Sequence, residues 1–455
     1  MKIAILGWGI EGKSAYKHYL SPENEIHVLD YLEQTDVPDG VPVVFGPEYL
    51  YDLDEYDLIV RSPGIHPSLM LKNNEEHAEI LSKTTTATNE FFEQCKAPNI
   101  IGVTGTKGKG TTSTLITKIL EAAGHKVHLG GNIGLSPLDM LKNDDGSAKI
   151  GADDWVVLEL ANFQLIDLKH SPKIGVCLMV TEEHLDWHKD MYEYIQAKQN
   201  MFQQQQHDDL AVYNVRSSYS EEIVGVSHAR KTLYDVPPID ADTLDDRGVH
   251  VSGNDIIAYD TKVCSIEDVA LLGRHNLENV CAAIAATWHI IKHDTELITK
   301  VVRDFPGLPN RLEILGQIDG VWFINDSFGT TPDTAIVAID TFEKNKVLIL
   351  GGSDKGADYS RLVRKILENQ NEIRHIVAIG TTGPKIVASL QKMDCKIPIT
   401  EMKISNTMTQ IVNAAKAGAK KGDVVVLSTG SASFDMFSNY KERGDQFTKA
   451  VQALA

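Results

Sequence analysis

The chain has 455 residues, which suggests about three domains at roughly 150 residues each. Apolar residues make up 42 % of it, enough for several cores without disulfide or metal staples. Its 44 basic residues face 63 acidic ones, a formal charge of −19, which argues against a nucleic-acid partner and leaves any phosphorylated ligand to local donors and Mg²⁺. The five cysteines (Cys95, Cys177, Cys264, Cys281, Cys395) are scattered, with no CxxC pair or metal-ligand spacing, which fits a reducing cytosol. MKIAILGWG enters a strand without a charged leader. No apolar run nears the ~20 residues that span a bilayer. A cytoplasmic protein with no membrane partner is expected.

Lys2 to Leu6 reads as a short apolar strand, followed by Gly7-Trp8-Gly9-Ile10-Glu11-Gly12 and a helical pattern through Leu20. Glu25 to Leu29 reads as a second strand, ending at Asp30. A GxGxxG turn with an acid closing the next strand is a dinucleotide-type arrangement. A second nucleotide-type loop downstream, and no evident hydride-transfer constellation, weigh against a nicotinamide cofactor. Leu58 to Arg61 is a strand running into Ser62-Pro63-Gly64-Ile65. That segment is either a plain Pro-Gly turn or a ligand turn at the carboxyl end of the sheet. A boundary is expected near Phe92 to Pro98.

The stretch Gly102 to Leu115, GVTGTKGKGTTSTL, follows the apolar pair Ile100-Ile101 and precedes a helical pattern from Thr112 to Ala123. A glycine-rich turn between strand and helix suits phosphate: the backbone approaches closely, its N–H groups point at the anion, and the helix N-terminus adds partial positive charge. Lys109 would reach the terminal phosphates. The first glycine lies nearer the Gly-Lys pair than in a strict P-loop, and Gly110 stands where Ser or Thr is usual, so Thr111 is the nearest candidate ligand for Mg²⁺. Val127 to Leu129 then leads to another glycine-rich turn, Gly130-Gly131-Asn132-Ile133-Gly134.

Trp155 to Leu160 reads as a buried strand carrying one carboxylate, Glu159. An acid among such neighbours is costly to bury unpaired, so a cation or metal partner is expected. Ile174 to Val180 gives another strand, ending in Thr181-Glu182-Glu183-His184-Leu185-Asp186-Trp187-His188. Acids and imidazoles at a strand tip suit Mg²⁺-bound phosphate, although Mg²⁺ prefers oxygen; for Asp186 and His188 a solvated loop is the favoured reading. Tyr192 to Phe202 is helical, and Lys198 by itself reads as a surface lysine. Val249 to Tyr259 alternates around Ser252-Gly253-Asn254, a hairpin pattern. The segment from Gly273 to Asn279 precedes a helix from Val280 to Ile291. Asn276 and Asn279 either share a helix face toward a base edge or serve as caps.

The last third opens at Phe305-Pro306-Gly307-Leu308-Pro309-Asn310-Arg311 and contains another α/β alternation. Its strands end at Asn325-Asp326-Ser327, Gly351-Gly352-Ser353-Asp354-Lys355, Ile379-Gly380 and Ser428-Thr429-Gly430. Polar residues thus collect where an open α/β sheet binds ligands. Lys355, after a glycine pair, suits an anion or carboxylate. No period of 20–50 residues marks a repeat.

In this order, from GWGIEG to NYKERG, these motifs resemble the Mur ligases, most closely those that join glutamate to UDP-N-acetylmuramoyl-L-alanine. The resemblance implies an α/β fold of three domains. They are a Rossmann-like N-terminal domain (1–93) for the UDP-substrate, a P-loop ATPase-like central domain (94–304) for ATP, and a Rossmann-like C-terminal domain (305–455) for glutamate. It also implies a monomer. Gly7, Gly9, Gly12, Asp30, Ser62, Gly64 and Asn132 then become contacts to the UDP-substrate, displacing the dinucleotide. Gly105, Thr106, Lys107, Gly108, Lys109, Gly110 and Thr111 match the ATP loop, Asn276 and Asn279 adenine contacts, and Arg311 and Asp326 contacts to phosphate and ribose. The resemblance makes Lys109, His184 and Lys198 catalytic, with Thr111, Glu159, His184 and a carbamylated Lys198 around two Mg²⁺ ions. Thr330, Lys355, Ser433, Phe434 and Tyr440 align with groups that hold glutamate. The implied reaction passes through an acyl-phosphate and serves peptidoglycan precursor synthesis.

Three departures stand out. Gly110 makes the loop similar to that of folylpolyglutamate synthases, which share the central fold but normally lack the N-terminal domain supplied here by GWGIEG and Asp30. Ala161-Asn162 replaces a serine pair before Phe163-Gln164. In NDSFGTTPDT, Phe328 stands where a lysine is expected, a pattern similar to a branch that adds L-glutamate. D-glutamate is the expected amino acid, with L-glutamate the alternative. A non-catalytic precursor-binding protein would have no need of Lys109, Glu159, His184 and Lys198 together.

Overall fold

Short runs mostly rich in Val, Ile and Leu, many ended by Gly, Ser, Asp or Asn, become the strands of three sheets. The computed structural model describes residues 1–143, 145–239 and 241–454, so the last residue of the expected third domain lies outside the described residues. Two compact units emerge: residues 1–268 with 277–302, and residues 269–276 with those from 303 onward.

The first unit holds two sheets. In the first, β1 (Lys2–Leu6), β2 (Glu25–Asp30), β3 (Val43–Phe45), β4 (Leu58–Arg61) and β5 (Thr84–Thr85) lie parallel in the order β3-β2-β1-β4-β5. The order reverses between β1 and β4, where open α/β sheets bind ligands. Leu6 lies opposite both Leu29 and Arg61, which sets Gly7, Asp30 and Ser62 side by side at the carboxyl edge.

The second sheet has β6 (Asn99–Thr104), β7 (Val127–Gly131), β8 (Trp155–Glu159), β9 (Ile174–Cys177), β10 (Leu210–Asn214) and β11 (Arg230–Asp235), followed by β12 (Val249–Ser252), β13 (Asp255–Ala258) and β14 (Thr261–Ser265). Its order is β14-β13-β12-β11-β10-β9-β6-β8-β7, parallel except for the meander β12–β14. Glu159 pairs with Val103 on one side and Gly131 on the other, so three strand ends meet at one edge. One apolar cluster runs from Ile3, Ile5 and Ala15 through Phe91 and Met140 to Val156 and Phe202, joining the two sheets.

In the second unit, β15 (Glu313–Ile318), β16 (Val321–Asn325), β17 (Lys346–Leu350), β18 (Ile373–Ala378), β19 (Ile399–Glu401) and β20 (Val424–Leu427) take the order β15-β16-β20-β17-β18-β19. All pairs are parallel except β15–β16. Alternate residues of the buried strands face different cores: Leu348 and Leu350 join one apolar cluster, Val347 and Ile349 the other.

Several boundaries differ from the sequence reading. The helix after the phosphate loop spans Lys109–Ala122 and starts before Thr112, because Gly108 caps it in a left-handed conformation (φ +88°). The helix expected from Val280 spans His275–Thr287, so Asn276 and Asn279 both lie within it. Gly130 and Gly131 belong to β7 rather than to the turn after it, and β9 stops at Cys177 rather than Val180. Among the described residues, no helix is long and apolar enough to cross a membrane.

Candidate active site

The phosphate loop leaves β6 at Thr104 and enters the helix at Lys109. An ideal Cβ at Gly108 would lie 2.2 Å from Asn279 Oδ1, so this position accepts no side chain while Asn279 sits there. Asn279 Oδ1 also accepts from the Thr112 hydroxyl at 3.2 Å, which ties the helix start to the helix His275–Thr287. Lys109 folds over the loop, its Nζ donating to Gly105 O (3.1 Å) and Thr106 O (2.9 Å). Thr111 is buried in the first turn and Lys107 is exposed.

Glu159, at the end of β8, is only 3 % exposed. Its Oε1 accepts from Asn132 Nδ2 at 2.8 Å, whereas Oε2 is buried with no hydrogen-bond partner among the described residues. An orphaned carboxylate oxygen is expensive in a low-dielectric site, and a divalent cation removes that cost, so the residue fits Mg²⁺. Asn132 was expected at the UDP-substrate; the structure sets its amide against Glu159.

Lys198, a surface lysine when its helix is read alone, is fully buried. Its Nζ donates to Gly105 O (3.3 Å) and Thr104 Oγ1 (3.5 Å) and lies 4.4 Å from the Tyr194 ring centroid. Burial, and then the positive charge of Lys109, lower its pKa to about 7. Gly105 O thus accepts from both lysine amines. His184 is half-buried, in a left-handed conformation (φ +59°) uncommon for a non-glycine residue. Its pKa is lowered chiefly by burial, with Glu183 opposing and Lys109 assisting.

In the first sheet, Asp30 Oδ2 accepts from Trp8 N–H at 2.7 Å and the Ser62 hydroxyl donates to Gly7 O at 3.1 Å. An ideal Cβ at Gly12 would lie 1.9 Å from Gly7 O, so the helix packs against the turn only with glycine there. Gly9 is the N-cap of this helix, Ile10–Tyr19. Glu11 accepts from Gln164 Nε2 at 2.7 Å through Oε1, while its Oε2 is buried with no hydrogen-bond partner among the described residues. Burial raises the pKa of this carboxyl to about 7.

The loop after β9 holds Asp186 and His188, both read from the sequence as solvated. Asp186 is exposed as expected, but His188 is buried rather than solvated. It meets Glu193, which also meets His66, the N-cap of the helix Pro67–Lys72 that follows the turn Ser62 to Ile65. Burial alone would raise the Glu193 pKa, but the Lys189 N–H and the His66 and His188 imidazoles hold it below the ordinary value. Trp187 Nε1 donates to Gly64 O at 3.2 Å. Arg61, fully buried, is paired with Asp167 through Nε and Nη2 at 2.8 and 2.7 Å.

In the second unit, Arg311 lies 3.7 Å over the Phe328 ring, and that ring meets Tyr440 edge-on at 5.0 Å. Phe328 therefore faces a cation and an aromatic. Asp326 accepts from Ser428 Oγ (2.7 Å) and Leu312 N–H (3.2 Å), and burial raises its pKa to about 6. Lys355 Nζ lies 4.9 Å from the centroid of the exposed Phe434 ring; Ser433 is buried and Thr330 exposed. Arg443, which the sequence reading missed, donates to Ser327 O and Ser431 O at 2.7 and 3.0 Å and ties two strand-end loops together. Asn276 also belongs to this unit, where its Nδ2 donates to Leu272 O at 2.6 Å.

The profile of the Mur ligase middle domain matches residues 103–287, and that of the Mur ligase glutamate ligase domain matches residues 310–431. The UDP-N-acetylmuramoylalanine–D-glutamate ligase of Clostridium kluyveri is 33 % identical over 469 aligned positions, covering 100 % of this chain and 97 % of the relative. The fold is similar to that of the UDP-N-acetylmuramate–alanine ligase of Thermotoga maritima, with a TM-score of 0.61, 15 % identity and 100 % coverage of both chains. It is also similar to the MurF ligase of Thermotoga maritima, solved in complex with ADP, with a TM-score of 0.58 and 16 % identity, covering 100 % of this chain and 95 % of that one.

Proposed function

We propose that this chain, which belongs to the Mur ligase family, joins D-glutamate to UDP-N-acetylmuramoyl-L-alanine at the expense of ATP, in peptidoglycan precursor synthesis. The observation that best supports the site is the meeting of Lys109 and Lys198 on one carbonyl, Gly105 O, at the sheet edge where Glu159 ends β8.

In the first step a carboxylate oxygen of the L-alanyl group attacks the γ-phosphorus of ATP, the bond to ADP breaks, and an acyl-phosphate forms. The glutamate amine then attacks the acyl carbon, loses a proton, and inorganic phosphate leaves with that oxygen. Lys109, released from Gly105 O and Thr106 O, stabilises the transferring phosphoryl group with the N–H groups of Gly105 to Thr111. Burial lowers the Lys198 pKa to about 7, so part of the amine is neutral near that pH, and the neutral form takes up CO₂: the nitrogen lone pair bonds carbon, a proton leaves, and the carbamate presents oxygen donors. Thr111, Glu159, His184 and the Lys198 carbamate would hold two Mg²⁺ ions, which withdraw charge from phosphoryl oxygens when bound.

Gly7, Gly9, Gly12, Asp30, Ser62, Gly64 and Asn132 serve the UDP-substrate, and Asn132 also holds Glu159 through its amide N–H. Asn276, Asn279, Arg311 and Asp326 serve the nucleotide; Thr330, Lys355, Ser433, Phe434 and Tyr440 serve glutamate. We assign these tasks to residues 1–93, 94–304 and 305–455 of a cytoplasmic monomer, since both the nucleotide-linked substrate and ATP are cytoplasmic.

The test supplies purified protein, Mg²⁺, ATP and UDP-N-acetylmuramoyl-L-alanine with either glutamate enantiomer, following phosphate release and product mass. Turnover with D-glutamate is expected. Turnover with L-glutamate alone would overturn the choice of amino acid, and substrate binding without ATP turnover would mark a binding protein.

A further inference from the structure

One oxygen of one carboxylate joins three separate segments of the first unit. Glu193 Oε2 lies 3.2 Å from His66 Nε2, 3.2 Å from His188 Nδ1 and 2.9 Å from Lys189 N. The tautomers follow from the outer partners. His66 Nδ1 accepts from Ser68 N–H at 3.1 Å, as the N-cap of the helix Pro67–Lys72, so Nε2 carries the proton. His188 Nε2 lies 2.7 Å from Asn162 Nδ2, a donor, so its Nδ1 carries the proton. Both imidazoles therefore present N–H groups, and Glu193 accepts all three.

Each segment carries residues already placed at the site. His66 follows the turn Ser62 to Ile65. His188 N–H donates to His184 O at 2.9 Å, closing the turn that holds His184 in its left-handed conformation. Glu193 lies in the first turn of the helix Met191–Gln199, which carries Lys198, with Asp190 as its N-cap. Trp187 braces the joint: it donates to Gly64 O and packs edge-on against His66 (4.5 Å) and Phe163 (4.8 Å).

We propose that Glu193 is a positioning residue that clamps the UDP-substrate turn at Ser62–Ile65 to the loop bearing His184 and the helix bearing Lys198. The assignment rests on the site proposed above, where the carboxylate carried by the UDP-substrate must meet the phosphate loop in line. Misplacement of about 1 Å there costs on the order of a hundredfold in rate. The three side-chain ligand atoms also lie within 4.8 Å of one another, close enough for a cation. However, two of them are turned as donors to the third, which satisfies the cluster without a metal.

Glu193→Gln keeps the side-chain size but removes the charge and opposes an N–H₂ group to an imidazole N–H. It should raise KM for UDP-N-acetylmuramoyl-L-alanine and lower kcat, each about tenfold, with KM for ATP within about twofold of the unmodified chain. His66→Ala should reproduce that pattern, His66→Gln should restore it by returning a donor near the Nε2 position, and His66→Ala with Glu193→Gln should be no worse than either alone. Calorimetry of the UDP-substrate without ATP gives a second readout, with binding weakened about tenfold in Glu193→Gln. Unchanged KM and kcat in Glu193→Gln and His66→Ala would overturn the clamp. So would one-to-one zinc chloride binding by the unmodified chain that Glu193→Gln abolishes. Lys198→Ala in the same assay separates the two readings. Normal turnover there removes the underlying site, whereas an inactive Lys198→Ala beside a normal Glu193→Gln removes only the clamp.

Discussion

Two glycine-rich turns in the same compact unit each lead from a parallel strand into a helix capped by glycine, Gly9 in one and Gly108 in the other. Both present a helix N-terminus, through an extended Gly9 (φ −74°) and a left-handed Gly108 (φ +88°), and their side chains differ. At the first turn Asp30 already accepts the Trp8 N–H, and Glu11 adds a second carboxyl in the first helical turn. At the second, no acid lies in the first helical turn and Lys109 arches over the loop. A helix N-terminus favours anions in both. The first turn's lysine, Lys13, is drawn off to Asp36, whereas the charge of Lys109 lies over its own loop. The second suits a phosphoryl group whose charge changes during reaction.

Removing that charge should have the largest effect. Lys109→Ala should lower phosphate release on the order of a thousandfold while leaving calorimetric binding of UDP-N-acetylmuramoyl-L-alanine intact; loss of both together would erase the distinction between the turns. Asn132→Ala strips the Glu159 carboxylate of its one hydrogen-bond donor among the described residues. The Mg²⁺ concentration giving half-maximal rate should rise about tenfold, and an unchanged Mg²⁺ titration would separate Asn132 from the cation. Asp30→Ala leaves the Trp8 N–H without its acceptor, at a cost of about 1 kcal/mol in urea unfolding. KM for the UDP-substrate should rise and KM for ATP should not, so a change in the ATP value would join the two turns functionally.

The smallest effect is on stability. Lys198 has a folded pKa of about 7 against an ordinary 10.5. Between those values the unfolded chain binds a proton that the folded chain does not, so stability rises with pH across that window. The cost of burying this lysine is complete below about pH 7 and fades toward 10.5. In CO₂-free buffer Lys198→Met should therefore raise the thermal midpoint at pH 7, with a gain that shrinks by pH 10. A gain independent of pH would show that Lys198 is charged where it lies.

Much of this was legible in the chain itself. Apolar runs marked the strands, the Gly-Lys pair marked the phosphate loop, and a lone acid in WVVLEL marked Glu159 as needing a partner. Lys198 was illegible from its own helix, because its burial comes from Thr104 and Gly105, far away in sequence. His66 and Glu193 showed no local sign of each other, being 127 positions apart. Their neighbourhoods signal only helix starts, His66-Pro67 for one and the capping spacing Asp190-x-x-Glu193 for the other. The helix start at Lys109 was read late because glycine and threonine are weak helix formers, while the left-handed Gly108 sets the boundary. Phe328 was legible as a departure, but its stacking on Arg311 appears only in the fold.

The chemistry assigned to the second turn has a direct isotopic signature. UDP-N-acetylmuramoyl-L-alanine labelled with ¹⁸O in both carboxylate oxygens is turned over with ATP and D-glutamate, and the released phosphate is weighed by mass spectrometry. Attack by the carboxylate on the γ-phosphorus predicts one ¹⁸O in every phosphate and one left in the amide. Unlabelled phosphate would contradict the acyl-phosphate route and the role given to the Lys109 loop.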